Sequence, residues 1–596
     1  MLNSVDVRTT ETRTVPTMWN LLETYVATKA DERAFIFLGP DNVEQEVLTY
    51  GALHRLAVAY GKQLRLATQP GDRVILMFPT GLSFIVSFLA CHFAGVVPVP
   101  MVPLKGQRLR DTVLAIAENC AATVVMTTSE QSEFLKSQLS VLPTYADAGF
   151  IGVNVDLECP PATGNDTPHP AQLSELAFIQ YTSGSTSVPK GVMVSHANLA
   201  ANLEMMTIAY ENDQYSSYVG WAPLYHDMGL IANVLEPFYL GTLCVLMAPN
   251  LFAHRPWLWL KAISDYQAHV SGGPNYAYDL CIERAEEILE MGFDLSSWRV
   301  AFNSAEPVRA ETLRRFTAAF MPLGFRPQTF YPCFGMAEAT LLITGGTRAQ
   351  VPLIENLSRT GLANGMAIEA NDPKDTIEVV GCGQVLQQED IRIVDPHSTI
   401  EKPDGEIGEI WVAGPHIPFE YWNNPVSSKE TYQATIAGSI GPRFLRTGDL
   451  GFMQAGELYV TGRHKDLIIV RGHNVFPQDL EFIAERAAQG LKRNSGAAFA
   501  IEDPSDGQQT LCLVQEVMLS QRYTIDVDDT IKAIRQAIMK ETDITVHKII
   551  LVQPSSIPKT SSGKIRRAET KKRYIDGTLL VVQAQSSATT RQKATA

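Results

Sequence analysis

Residues 175–196 read ELAFIQYTSGSTSVPKGVMVSH. An apolar run enters a cluster of small hydroxyl residues and glycine, Thr182-Ser183-Gly184-Ser185-Thr186, and Pro189-Lys190-Gly191 follows. Small side chains let a backbone approach a phosphate chain closely and surround it with N–H and O–H donors. Lys190 adds a positive charge just beyond the cluster. The stretch is not a P-loop, which requires Ser or Thr directly after Gly-Lys. Taken alone it reads equally well as a polar turn, for which Ser, Thr and Gly are common material.

The surroundings place it in an α/β frame. Between about residues 50 and 345, short β-rich runs (73–78, 122–127, 150–155, 219–223, 244–248, 270–273 and 300–304) alternate with helical patterns such as 255–266 and 310–320. Strands separated by crossover helices form parallel sheets, and this many units suggests two stacked halves. Residues 74–104 carry no charge. Pro79-Thr-Gly81 and Val-Pro98-Val-Pro100 break that stretch into strand, helix and strand, each too short to span a bilayer. Near Thr376 the pattern changes to runs at 376–380, 390–394 and 409–413 separated by turn signals, a compact antiparallel unit. After Gly462-Arg463 it changes again, to a small α+β block ending near Gly577, and the tail from Ala584 has no apolar periodicity.

Length and charge narrow the function. At 596 residues the chain exceeds one ordinary core, and 45% hydrophobic with 19% charged residues is a globular composition. A formal charge of −15, from 64 acidic against 49 basic residues, disfavours nucleic-acid binding. The eight cysteines are scattered without a CxxC pair, reading as buried thiols in a reducing compartment. The N-terminal residues have no apolar core, so no secretory signal is expected and the protein is assigned by default to the cytoplasm.

Six further segments carry chemistry in chain order: Trp221-Ala-Pro-Leu-Tyr-His226-Asp-Met-Gly-Leu230, Asn303-Ser-Ala-Glu306-Pro307, Tyr331-Pro-Cys-Phe334-Gly-Met-Ala-Glu338, Leu445-Arg-Thr447-Gly448-Asp449, Gly462-Arg463-His-Lys465-Asp466 and Pro558-Lys-Thr-Ser-Ser-Gly563-Lys564-Ile565. With the Thr182–Thr186 loop they resemble the ordered motifs of the adenylate-forming superfamily of acyl-CoA synthetases, luciferases and nonribosomal peptide adenylation domains. The resemblance implies ATP and Mg²⁺. It gives Thr182, Ser183, Gly184, Ser185, Thr186 and Lys190 to the phosphates, and Ser304, Ala305, Glu306 and Pro307 to the adenine pocket. Phe334, Gly335, Met336 and Ala337 complete that pocket, with Phe334 stacking on the base. Glu338 holds Mg²⁺, Asp449 takes the ribose hydroxyls beside Arg463, Lys465 belongs to the hinge, and Lys564 is the catalytic cation. His226 lines the acyl site, with Met228, Gly229, Ser271, Gly272 and Asn275 as candidate acyl lining, the small residues at 271–273 permitting a channel.

The implied architecture is a large N-terminal domain (1–463) of two stacked α/β sheets plus a small β-barrel-like unit. A small mobile α+β C-terminal lid (464–580) and a disordered tail (581–596) follow. Three features point to the fatty acyl-AMP ligase branch. These are Ala305-Glu306-Pro307 with Ala337 before Glu338, the segment Asn474-Val-Phe-Pro477-Gln478-Asp479, and an insertion at about 347–375 that in this branch packs on the C-terminal domain and hinders CoA thioester formation. The expected reaction is activation of a fatty acid to acyl-AMP, then transfer to the phosphopantetheine arm of a separate acyl carrier protein. The alternatives are a medium- or long-chain acyl-CoA synthetase and a non-catalytic binding protein on the same fold. Chain length and oligomeric state stay open.

Overall fold

The computed structural model describes residues 16–104, 110–142, 151–160, 164–182, 189–470, 473–502, 509–542, 544–560 and 563–582. Its largest sheet is built on six parallel strands, in the spatial order Arg33–Leu38, Cys244–Met247, Tyr218–Gly220, Val270–Gly273, Val300–Asn303 and Phe330–Gly335. These strands are apolar on both faces, as a doubly covered parallel sheet requires. Alternation sends Phe35, Phe37, Cys244 and Leu246 into one core and Ile36, Leu38, Val245 and Met247 into the other. The second core is closed by helices Trp257–Asp265, Asn275–Ile282 and Ala310–Phe320, with Trp259, Tyr278, Trp298 and Phe316 in edge-to-face contact.

The charge-free stretch resolves as read. Strands Arg73–Leu76 and Val97–Pro100 pair in parallel around helix Leu82–Ala94, and Val124–Thr127 and Ile151–Asn154 extend this second sheet. Every residue of the helix is buried. A helix apolar all round needs cover on all sides, and here Val74 and Leu76 of one sheet and Phe35 and Phe37 of the other share its core. No described helix is long and apolar enough to cross a membrane. Seven cysteines are buried as expected; Cys159 is exposed.

The antiparallel unit continues the large sheet. Strand Leu342–Gly345 pairs with Phe330–Gly335, then Thr376–Val385, Glu457–Arg463, Leu445–Gln454, Gly408–Ala413 and Asp390–Val394 follow in spatial order. The insertion, which reads as polar in sequence, is folded. Strand Ile354–Ser358 pairs with Thr376–Val385, and helix Arg359–Ala363 is capped by Ser358. Asp375 accepts hydrogen bonds from the Thr360 N–H and hydroxyl, both at 2.9 Å, closing the insertion on itself. The C-terminal segment holds strands Leu491–Glu502, Gln509–Val517 and Lys548–Val552 with helices Pro477–Ala484, Val527–Thr542 and Arg567–Ile575.

Candidate active site

A cleft of about 2150 Å³ is lined from both halves of the chain. On its N-terminal side Asp449 lies within strand Leu445–Gln454, buried, opposite Arg463 in the register. Arg463 Nε donates to Asp449 Oδ1 at 2.9 Å, and the Asp449 N–H donates to the Thr447 hydroxyl at 3.1 Å. Underneath sits a residue that the motif reading passed over. Glu409 is buried in strand Gly408–Ala413 and accepts from the Gly448 N–H (3.0 Å), Arg446 Nε (2.9 Å) and Nη2 (2.6 Å), and Trp411 Nε1 (2.9 Å). A buried carboxylate is tolerated only when its lone pairs are filled, so Glu409 fixes the backbone that presents Asp449. A lone acid in a strand otherwise apolar at every position was the available signal.

The phosphate-side stretch is an antiparallel hairpin, Leu176–Thr182 against Lys190–Ser195, with Thr182 paired to Lys190. Ser183, Gly184, Ser185 and Thr186 lie outside the described residues. Residues 420–422 run alongside: the Met193 N–H donates to the Glu420 carbonyl (3.2 Å) and the Trp422 N–H to the Gly191 carbonyl (2.7 Å). This brings Tyr421 under Lys190, whose ammonium is 4.9 Å from the ring centre, and its hydroxyl donates to Glu338 Oε1 at 3.1 Å. The Thr182 hydroxyl is 3.5 Å from the same oxygen. Burial raises the Glu338 carboxyl above its ordinary range, against the pull of Arg463 and the Tyr421 hydroxyl. Burial and the nearby Lys465 charge lower the Lys190 ammonium, while Glu338 and Glu430 oppose them. Lys465, expected in the hinge, therefore also bears on the phosphate side. Lys190 and Lys465 both line the cleft, and two cations there suit an anion.

On the acyl side His226 Nδ1 and Asp227 Oδ1 are 2.6 Å apart, and the Met228 N–H donates to the same oxygen at 2.7 Å. Burial works to raise the Asp227 carboxyl, yet His226, Lys564 and the Met228 N–H together hold it below the usual range. Lys564 comes from the far end of the chain, on a turn in which its N–H donates to the Thr560 hydroxyl at 3.0 Å. Its ammonium is lowered by desolvation and by Arg463, and stabilised by Asp227, Asp449 and Glu306. The turn stands on Glu516, a buried carboxylate that accepts from the Ile557 N–H and from Lys492 Nζ, both at 2.9 Å.

Ser304, Ala305, Glu306 and Pro307 line the cleft, as do Phe334, Gly335, Met336, Ala337, His226 and Met228. Ala305 has a φ of +74°, a conformation that in a residue with a Cβ must be imposed by its surroundings. Asn275 imposes it. Fully buried, it donates to the Pro307 carbonyl (2.8 Å) and accepts from Asn303 Nδ2 and the Arg309 N–H (both 3.1 Å). Asn275 is thus an anchor of the 303–309 loop and is not among the residues lining the cleft. Three other acyl candidates are also corrected. The Ser271 hydroxyl is held between the Val219 carbonyl (2.6 Å) and Trp259 Nε1 (2.7 Å). A Cβ at Gly272 would strike Phe302, and one at Gly229 would strike the Pro223 carbonyl. Small residues stand at these positions because neighbours occupy the space, so they open no channel. Tyr210, Ala232, Phe302, Cys333 and Leu342 line the apolar part of the cleft instead.

The two halves are held at a second place. Phe476 packs in one cluster with Leu357 and Leu362 of the insertion and with Leu450, Phe452 and Tyr459. Gln478 Nε2 donates to the Thr461 carbonyl at 2.7 Å. Burial pushes Asp479 up to about 6, with Arg359 of the insertion and Arg309 opposing. The Phe482 ring lies between two guanidiniums, 4.3 Å from Arg309 and 3.7 Å from Arg486, and Arg486 also pairs with Glu311. Arg567 grips Glu481 through two nitrogens (2.7 and 2.8 Å) and reaches Asp466 at 2.8 Å, tying the end of the chain to the segment after Arg463.

Comparison with known proteins agrees with this geometry. The AMP-binding enzyme family matches residues 22–422, and the AMP domain of the Disco-interacting protein 2-like group matches residues 465–584. The chain is 37% identical to a medium-chain fatty acid acyl-carrier-protein ligase, JamA, of Moorena producens, over 97% of this chain and 98% of that one. It is 32% identical to the long-chain fatty acid AMP ligase FadD32 of Mycolicibacterium smegmatis, over 94% of each. A Legionella pneumophila fatty acyl-adenylate ligase, solved with acyl adenylate and pyrophosphate, superposes with a TM-score of 0.72 at 34% identity, covering 95% of this chain and 97% of that one. A cleft that gathers Lys564, Glu338, Asp449 and His226 from distant segments of such a chain identifies it as a member of the AMP-binding enzyme family, among the fatty acyl-AMP ligases.

Proposed function

We propose that the protein activates a fatty acid with ATP to acyl-AMP, releasing pyrophosphate, and passes the acyl group to the phosphopantetheine thiol of a separate acyl carrier protein. The observation that carries the first half is that Lys564 lines one cleft with Arg463, Asp227, Asp449, Glu306 and Glu338. The fatty acid carboxylate attacks the α-phosphorus of ATP, an O–P bond forms, and the bond to the bridging oxygen breaks as pyrophosphate departs. Two anions approach one another, so the site's task is electrostatic. Lys564 is the cation for the attacking carboxylate and α-phosphate. Lys190, with the Thr182–Thr186 loop, neutralises the leaving phosphates. Asp449 takes the ribose hydroxyls, held in place by the Arg463 Nε–H.

Glu338, with the Thr182 and Tyr421 hydroxyls around it, is a single oxygen-rich anchor suited to a hard divalent cation such as Mg²⁺. Among the described residues no group of three or more His, Cys, Asp or Glu is placed to hold a metal ion. When bound, the ion supplies charge neutralisation at the nucleotide phosphates.

The acceptor is supported by the insertion's grip on Phe476 and Asp479, which opposes rotation of the C-terminal segment toward a CoA-using arrangement. JamA carries the acyl-carrier acceptor in its name, which supports the same reading. Incubation with ATP, Mg²⁺, a fatty-acid series and either CoA or a holo carrier tests it. Acyl-AMP and acyl-carrier should accumulate; abundant acyl-CoA would make the protein an acyl-CoA synthetase. Deleting 347–375 should raise CoA thioester formation, but it also strips a partner from strand Thr376–Val385. Leu362→Ala and Phe476→Ala are cleaner versions of that test.

A further inference from the structure

We propose that an edge of the C-terminal sheet, formed by Lys492, Arg493, Met518, Leu519, Arg522 and Tyr523, is the docking surface for the acyl carrier protein, an acidic partner bearing a phosphopantetheine arm. The proposal rests on the carrier being the acceptor. The chain as a whole repels such a partner, with 64 acidic against 49 basic residues, yet residues 464–580 hold 17 of the basic and only 15 of the acidic ones. An acidic protein approaching this chain is therefore steered to its C-terminal part.

The six residues form one surface because of the strand pairing. Leu491 is in register with Val517, and the Met518 N–H donates to the Gly490 carbonyl at 2.7 Å, so Lys492 and Arg493 start from the same end of the strand pair at which the turn after Val517 begins; Lys492 there pairs with the buried Glu516 at 2.9 Å. That turn is anchored from below: the Thr524 and Ile525 N–H groups donate to the Gln521 carbonyl at 3.0 Å, and Ile525 packs into the C-terminal core. Its other apolar side chains point outward. Met518 is 42% exposed, Leu519 64% and Tyr523 69%, and the Arg522 guanidinium lies 4.5 Å from the Tyr523 ring. Apolar side chains left outside on an anchored turn, with Arg522 on the turn itself and Arg493 at the adjoining strand end, suit a partner with matching apolar and acidic groups.

Position selects the partner. Lys492, Arg493 and Met518 also line the cleft, so the surface runs into the mouth through which a phosphopantetheine arm would reach the adenylate. The arm's phosphodiester is itself an anion, and the basic residues nearest the mouth would meet it first. The acidic run Asp526, Asp528 and Asp529 at the head of helix Val527–Thr542 bounds the surface on its other side; Asp526 is engaged there by the Asp529 N–H at 2.9 Å. A nucleic acid does not fit a small, half-apolar surface on a chain of charge −15.

The test uses Arg522→Glu, Leu519→Glu and their double variant in the full chain, with a purified holo acyl carrier protein and, separately, free pantetheine as acceptor. Expected results are a KM for the carrier raised about tenfold or more in the double variant, with kcat, acyl-AMP formation and transfer to pantetheine within about twofold of wild type. The wild-type KM should rise with salt more steeply than that of Arg522→Glu, and Arg522→Lys should stay near wild type. An unchanged carrier KM in the double variant at low salt overturns the proposal. Loss of self-association by the variants with unchanged carrier KM also overturns it, in favour of contact between two copies of this chain. If wild type acylates pantetheine but no holo carrier, the acceptor itself is wrong, a result distinct from either.

Discussion

Asp449 and Lys564 face the same cleft but are built into it in opposite ways. Asp449 lies inside a ten-residue strand, buried, between Arg463 and Thr447, with Glu409 filling the space beneath the Gly448 backbone. Lys564 stands on a turn in which its own N–H bonds to Thr560, and the base of that turn is held by Glu516 and by Lys559, whose ammonium donates to the Asn494 carbonyl and the Ser495 hydroxyl. The Asp449 side of the cleft is thus set by the sheet, while Lys564, the cation proposed for the reacting carboxylate, stands on a separate element. Preorganised dipoles and charges act without reorganisation at the moment of reaction. A cation on a separate element can be brought up after the substrates are seated, and withdrawn to admit a thiol.

Four experiments would break or sharpen that contrast. The largest effect is expected at Lys564. Lys564→Ala should lower acyl-AMP formation, followed as pyrophosphate release, by roughly 10²–10³-fold with nucleotide affinity nearly intact. An unchanged rate would remove Lys564 from the chemistry. Asp449→Asn should do the reverse, raising the KM for ATP by at least about tenfold while the KM for the fatty acid stays put. Glu409→Gln should give a smaller rise in the same constant, a few-fold, because the loop keeps its shape but loses one charge-assisted contact with Arg446. Equal changes in both KM values would mean that Glu409 merely holds the fold.

The smallest expected effect concerns the joint between the halves. Glu485 is buried, 3.5 Å from Arg309, and burial pushes its carboxyl up to about 7 against Arg309 and the Asn494 N–H. A raised carboxyl favours the folded protein fully at pH below the ordinary carboxyl range, and that contribution is lost as pH rises through about 7. Glu485→Gln should therefore stabilise the protein at pH 8, by on the order of 1–3 kcal/mol, and change little at pH 5. Melting curves at the two pH values check it, and a destabilised variant at pH 8 would show that the ion pair with Arg309 outweighs desolvation.

Much of the site is legible in the motifs, because phosphate, ribose and carboxylate chemistry each need particular side chains at fixed spacing. Glu338, Asp449, Arg463, Lys190 and Lys564 fall into the cleft where the motif order puts them. The residues that hold them there are less legible. Glu409 and Asn275 act by filling hydrogen-bond sites on backbone far away in the chain, and nothing in their local sequence marks that. Ser271, Gly272 and Gly229 look like channel residues because they are small, but smallness serves an open channel and close packing equally well, and only the neighbours distinguish them. The insertion reads as polar because its two buried apolar side chains, Leu357 and Leu362, are too few to set a period.

By itself the sequence determined the parallel α/β body, the antiparallel unit and the separate C-terminal segment, since hydrophobic period and turn chemistry are local properties of the chain. Its motifs also supplied the charged groups proposed for the reaction. Tertiary structure alone decided that the insertion closes over Phe476, that Asn275 anchors the 303–309 loop, and that Lys564 lines the same cleft as Asp227, more than three hundred residues away in the chain. Those outcomes depend on which surfaces pack together and which buried polar groups find partners, and only the folded arrangement supplies both.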